Sequence, residues 1–245
     1  MRISWTAKLI VTLVAISGVC YGINYLVFRD VPFMLKLITL QIGFVPISVV
    51  LITVWLNRLI SQRENKHRLQ KLNIVISNFF IEVGTPLLDC LSAFDTNRDE
   101  ISKSLSITIT WSDQDFATAK NMLRDHNYVI ASVPADLEAL RILLNSKRSF
   151  LMLVLENPNL LEREEFTNLL SAIAHLTEEL VRRIDLAKLG QADYDHIAVD
   201  IKRAYTLLLD VWLDYMKHIK HDYPYLYSLA VRINPFNPLA APEVK

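Results

Sequence analysis

Glycine is scarce in this chain, and its scarcity excludes a good deal. Gly18, Gly22, Gly43, Gly84 and Gly190 are the five glycines among 245 residues. They make neither a G-x-G-x-x-G nor a P-loop, so the turns that cradle phosphate in common nucleotide-dependent enzymes are missing. Cysteine is rarer still. Cys20 lies in an apolar run and Cys90 far beyond it, so both are expected as reduced thiols rather than a disulfide. An excess of one charge is also lacking, because 26 basic and 26 acidic side chains balance. No basic stripe stands out beyond 58–71, which removes nucleic acid as a partner. There is no G-x-S-x-G elbow and no Ser, His and acid arrangement that the sequence singles out. Cys90 has Asp89 beside it and no neighbouring cation to lower its pKa, so it reads as a small buried hydrophobe.

What the chain does have, at its start, is two uncharged apolar runs of twenty residues, 9–28 and 37–56. At about 1.5 Å of rise per residue, each can cross a hydrocarbon core of roughly 30 Å. Eleven and thirteen Leu, Ile, Val or Phe residues outweigh Asn24, Gln41 and Pro46 in insertion. The link 29–36, with Pro32 in its turn, is too short for anything but an antiparallel hairpin. Trp5 and Trp55 flank one side, Tyr25 and Phe33 the other, as rings do at a membrane interface. Arg29 and Lys36 lie on the outer flank; Arg2, Lys8, Arg58, Arg63, Lys66, Arg68 and Lys71 lie on the side of the termini. The expectation is an inner-membrane, multi-pass protein with both termini cytoplasmic, its basic flank facing anionic headgroups of the bilayer. A cleaved signal peptide fits less well, since no A-x-A-like site follows and a second run comes at once. In a hairpin centred between Pro32 and Phe33, Gly22 lies at the depth of Gly43. Gly18, Gly22 and Gly43 are therefore assigned to packing the two spans together, with a homodimer seam as the alternative. Neither run holds an ionisable Asp, Glu, Lys, Arg or His, which speaks against an ion or proton pathway.

The remaining sequence reads as helix. The fold expected is mainly α: an N-terminal transmembrane helical hairpin, then a cytosolic α-helical bundle with a long antiparallel helix pair. Its divisions are 1–57 (hairpin), 58–83 (juxtamembrane helix), 84–232 (helical domain) and 233–245 (Pro-rich extended tail). Leu69, Leu72, Ile76, Phe79 and Val83 form a seam that docks on the domain. Gly84-Thr85-Pro86 is expected to stop one helix and start another. The stretch Glu82 to Leu87 resembles the phospho-accepting box of sensor histidine kinases. However, Ile81 stands where the histidine would be, and no ATP-binding module follows. Segment 101–111 fits strand and helix equally, a capping box starts a helix at Ser112, and Pro134 starts another. The apolar stretch 150–155 reads as buried core. The helix pair covers about 162–189, carrying Phe166, Leu170, Ile173, Thr177, Leu180 and Ile184, and about 193–220, with Gly190 ending the first helix.

The metal candidates are His175, Glu178, Glu179, His196, Asp200, Asp214, His218 and His221. His175 with Glu179, His196 with Asp200, and Asp214 with His218 are i,i+4 pairs on helix faces. No Glu-x-x-His motif of the carboxylate-bridged bundles is present. Folded about Gly190, the pair sets His175 opposite Tyr205, roughly 13 Å of helix rise from His196. Lys202 and Arg203 then fall near Glu178 and Glu179 as ion pairs. No catalytic residue, metal or cofactor is therefore assigned. Tyr223, Tyr225 and Tyr227 are read as packing residues.

Leu155-Glu156-Asn157-Pro158-Asn159-Leu160-Leu161-Glu162, then Phe166, His175-Leu176 and Glu178-Glu179-Leu180, resemble a family of prokaryotic two-span membrane proteins with a helical cytosolic domain. Tyr223-Pro224-Tyr225-Leu226, Ser228-Leu229-Ala230 and Asn234-Pro235-Phe236 resemble it as well. That likeness implies an architecture and no chemistry. Asn157 and Asn159 around Pro158 suit a tight turn. The function expected is a non-enzymatic membrane anchor or adaptor whose helical domain binds a protein partner or a second copy. The alternatives are a metal-dependent helical-bundle enzyme and an accessory subunit of a transport or envelope complex.

Overall fold

A computed structural model describes residues 5–132, 134–157, 163–237 and 239–243. The chain divides into two compact units, Met1–Lys66 and His67–Lys245. Helices α1 (Trp5–Phe28) and α2 (Val31–Phe79) are followed by a π-helical turn (Phe80–Gly84). Then come α3 (Thr85–Ser92), α4 (Arg98–Ser104), α5 (Asp113–Asp125) and α6 (Pro134–Leu155). Helix α7 (Glu164–Arg182), a 3-10 turn (Leu186–Lys188), α8 (Gln191–Asp222) and α9 (Pro224–Arg232) complete the order. The fold is mainly α, and segment 101–111 is helix up to Ser104 and turn beyond it.

In the first unit the link between helices is tighter than the eight residues expected. Arg29 adopts a left-handed φ of 45°, and Asp30 caps α2 by accepting the Phe33 N–H at 3.0 Å. Pro32 therefore lies in the first turn of α2, where a missing N–H costs nothing. This moves the centre of the hairpin towards the N-terminus. Tyr21 Oη donates to Gln41 Oε1 at 2.5 Å, a register that places Gly22 about level with Leu40, short of Gly43. A Cβ added at Gly18, Gly22 or Gly43 would meet nothing within 4 Å. None of the three is therefore in the close contact that would require a glycine. Val31–Gln62 is apolar and long enough to cross a membrane, and none of its most apolar stretch is buried. Val11–Val27 of α1 is a shorter apolar helix, also almost wholly exposed.

The second unit is a helical bundle built on α8, against which α7, α5, α3 and α9 pack. Ile197, Ile201, Tyr205, Leu208, Trp212, Met216 and Ile219 keep helical spacing along its buried face. Each large apolar side chain so buried stabilises by about 1.5–3 kcal/mol. The seam of α2 docks as expected: Leu72, Ile76, Phe79 and Val83 are buried, while the Leu69 side chain lies outside the described residues. Phe79 meets Phe166 edge-on at 5.2 Å, and Phe80 stacks on Tyr215 at 4.5 Å.

Gly84 does not stop the helix. It is right-handed (φ −62°), and the chain passes through the π turn directly into α3. Pro86 lacks the N–H that an unbroken ladder needs, and the wider turn absorbs the gap. Glycine is required at 84 for close approach: a Cβ there would sit 2.5 Å from Phe80 Cδ1. The capping box at Ser112 forms, its hydroxyl accepting from the Asp115 N–H and Asp115 Oδ2 accepting from the Ser112 N–H at 2.6 Å. Stretch 150–155 is only half core, with Leu151 and Val154 buried and Met152 and Leu153 exposed. The turn expected around Pro158 lies outside the described residues. The tail is not simply extended: Asn234 and Phe236 are buried, and the Phe236 ring meets Trp212 edge-on at 5.5 Å.

The helix pair is shorter on one side than its periodicity suggests. Helix α7 ends at Arg182, and Arg183 is extended. Its guanidinium turns back to the Glu179 carbonyl at 2.6 Å and the Glu179 carboxylate at 2.5 Å, and also reaches Asp193 at 3.2 Å. These bonds close the C-terminal turn and tie it to the start of α8. Ile184, assigned to the buried face, lies past the helix end and is fully exposed. Gly190 is the N-cap of α8 rather than the stop of α7.

Candidate functional site

The eight residues between α7 and α8 reset the register of the pair. With the turn centred near residue 187, His175 on α7 faces roughly residue 198 of α8. His196 and Asp200, one helical turn apart, stand on either side of that level. The expectation that His175 lies opposite Tyr205 is therefore corrected, because it treated the connector as helix. His175 Nε2 lies 3.3 Å and His196 Nε2 3.4 Å from the same oxygen, Asp200 Oδ2. Glu179 Oε2 is 3.8 Å from His196 Nε2.

Burial divides this group. The Asp200 side chain is 4% exposed, whereas those of His175 and His196 are 47% and 53% exposed. Asp200 Oδ2 is buried and makes no hydrogen bond among the described residues, while Oδ1 lies 3.5 Å from Arg203 Nη1. The bond from Arg183, more than any other influence, holds the Glu179 carboxyl below the usual carboxylate range. Among the described residues, His175, His196 and Asp200 are the group of three whose ligand atoms all lie within 4.8 Å of one another.

The other candidates separate. Asp214 and Asp210 pair with Lys120 at 2.9 and 3.2 Å, so Asp214 is engaged away from His218. His218 Nδ1 faces Asp222 at 3.2 Å, its Nε2 is buried without a partner, and burial lowers its pKa. His221 joins Asp113 at 3.0 Å, a bond that is the main cause of the lowered Asp113 pKa. Glu178 pairs with Arg148 and Arg182. Lys202 instead donates to the Tyr128 carbonyl, and Arg203 lies against Asp200, so the expected ion pairs of these two with Glu178 and Glu179 do not form. Cys90 is half-buried, and burial above all pushes its thiol up to about 11, which suits no nucleophile at neutral pH. Tyr227 is buried and donates to the Thr108 carbonyl at 2.8 Å, whereas Tyr225 is exposed.

Two features escaped the sequence. Asp95 is buried and accepts from the Asn97 N–H at 3.0 Å, the Val129 N–H at 3.4 Å and the His126 ring at 3.1 Å. Thirty-one residues separate Asp95 from His126, and no spacing rule links them. The second is an apolar pocket of about 280 Å³ beside the π turn, lined by Phe80, Ile81, Pro86, Trp212, Leu226 and Ile233 among others. π-helical turns are frequent at functional positions. Gly84-Thr85-Pro86 was the available signal there.

Comparison with known proteins covers nearly the whole chain. Residues 68–232 match the family described as "Uncharacterized protein MJ1433, C-terminal helical domain", and residues 1–60 match "MJ1433, N-terminal helical domain". The chain belongs to this family. The Methanocaldococcus jannaschii protein named "Uncharacterized protein MJ1433" is 40% identical over 227 residues, covering 93% of this chain and 91% of its own length. No solved structure matches. The boundary between the two family regions falls near that between the two compact units.

Proposed function

We propose that this chain is a two-span protein of the cytoplasmic membrane whose helical domain, on the cytoplasmic side, docks a protein partner. The observation that carries the reading is that none of the most apolar stretch in Val31–Gln62 is buried. In water, so long an apolar surface would drive association; in a bilayer it is the stable solution. The excess of Arg and Lys on the side of both termini supports the cytoplasmic placement. The pocket beside the π turn supports docking. Ile81 is 61% exposed at its edge, with Leu229 and Ile233 beside it. An apolar anchor from a partner helix is the kind of group such a cleft takes.

The test is photo-crosslinking in native membranes from a probe at Ile81, with a second probe at exposed Val199 as the control. A discrete adduct from position 81 and none from 199 is the expected result. Monomer alone from both positions would overturn partner docking. A reporter fused after Lys245 that is active only outside the membrane barrier would overturn the topology.

A further inference from the structure

We propose that His175, His196 and Asp200 form a binding site for a divalent transition ion, with zinc as the ion that fits. The inference is independent of the docking reading and rests on three observations. The first is donor chemistry: two imidazole nitrogens and a carboxylate oxygen are a borderline N/O set, which suits zinc and its neighbours rather than calcium or magnesium.

The second is spacing. A tetrahedral ion with bonds of about 2.1 Å keeps its ligand atoms roughly 3.4 Å apart. The two histidine-to-Asp200 separations are 3.3 and 3.4 Å. Both nitrogens face one oxygen from opposite helices, α7 and α8. Since His196 and Asp200 are i,i+4 on one face of α8, the helix itself fixes one edge of the site.

The third observation is the state of Asp200. A buried carboxylate oxygen without a hydrogen bond is costly, by several kcal/mol where no partner compensates. Asp200 Oδ2 is in that position. Arg203 occupies the other oxygen, so Oδ2 is the atom left to face the histidines. An ion at this point would satisfy the oxygen and draw on the lone pair of each imidazole Nε2 at once. The exposed histidine rings leave an entry path from solvent. Glu179 is committed to Arg183, which leaves it beside the site as a charge partner, and the fourth position is open to water. Ligands on two helices would make the ion a staple of the α7–α8 pair.

Full-length protein, purified in detergent and stripped with a chelator, would be titrated with zinc chloride by calorimetry. The expected result is about one equivalent bound, with affinity reduced at least tenfold in each of His175→Ala, His196→Ala and Asp200→Asn. His221→Ala, away from the site, should bind as the unaltered chain does. Zinc should raise the Tm of the unaltered chain and leave that of His175→Ala and His196→Ala unchanged. Both histidines are about half exposed, so these two variants test the site even if Asp200→Asn fails to fold. Binding below about 0.1 equivalent would overturn the proposal. So would undiminished affinity in His175→Ala and His196→Ala, which would place the ion elsewhere.

Discussion

Asp95 and Asp200 are both buried carboxylates facing histidine, and the bundle completes them in different ways. Around Asp95 the requirement is met from within: two backbone N–H groups and the His126 ring donate to it, and the His126 side chain is itself buried. Around Asp200 no described residue donates to Oδ2, and the two facing histidines stand half in solvent. The first arrangement is closed and ties the loop after α3 to the segment after α5. The second is open on one side and short of a partner. The same residue types thus serve as structural glue in one place and, in the other, leave a buried carboxylate oxygen facing two half-exposed imidazoles. The number of internal donors distinguishes them.

That contrast can be broken by experiment. The largest effect is expected at the closed pair. Asp95→Ala strands two backbone donors and a buried ring, and should destabilise the bundle by about 3 kcal/mol in urea denaturation followed by tryptophan fluorescence. A loss below about 1 kcal/mol would mean that Asp95 is not the internal hub its bonds suggest. Next in size is the ligand effect at the open pair. Zinc at a hundredfold excess over its Kd should stabilise the unaltered chain by about 2.7 kcal/mol. His126→Ala should keep that gain and His175→Ala should lose it.

In metal-free protein Asp200→Asn should cost within about 1 kcal/mol, because it removes a desolvated charge that makes no hydrogen bond through Oδ2. A penalty like that of Asp95→Ala would erase the distinction. The smallest effect concerns His218, which stands between the two cases: Nδ1 faces Asp222, and Nε2 is buried and unpartnered. Burial depresses its folded pKa below the ordinary imidazole value, against the opposing pull of Asp222. Below that value the unfolded chain binds the proton more readily, so stability rises with pH as this window is crossed and then levels off. His218→Gln should flatten that slope; an unchanged slope would assign it to other groups.

The sequence made much of this architecture legible, because helical periodicity reports burial directly. The α2 seam, the buried face of α8 and the Ser112 capping box follow from spacing alone. What failed was punctuation. Gly190 looked like the end of one helix and is the cap of the next, because Arg183 closes α7 with its own guanidinium. That error shifted the register by about two turns and hid the meeting of His175 with Asp200. Gly84 looked like a stop and instead admits the Phe80 ring at close range within a continuous helix. The hairpin turn was expected over 29–36, whereas α2 already starts at Val31 because Asp30 caps it. The Asp95 cluster was not legible at all, since the Val129 N–H and the His126 ring are brought in from a distant segment and the Asn97 N–H is a backbone donor that no side-chain pattern reports.

Cobalt(II) absorption tests the central claim most directly, because the ion reports its own coordination. One equivalent added to the metal-free, full-length chain should give the visible bands of a four-coordinate tetrahedral ion with mixed nitrogen and oxygen ligands. Zinc should displace it, and His175→Ala should abolish the bands. A six-coordinate spectrum, or the same bands in His175→Ala, would contradict the assignment of Asp200 and its two histidines as the ligands.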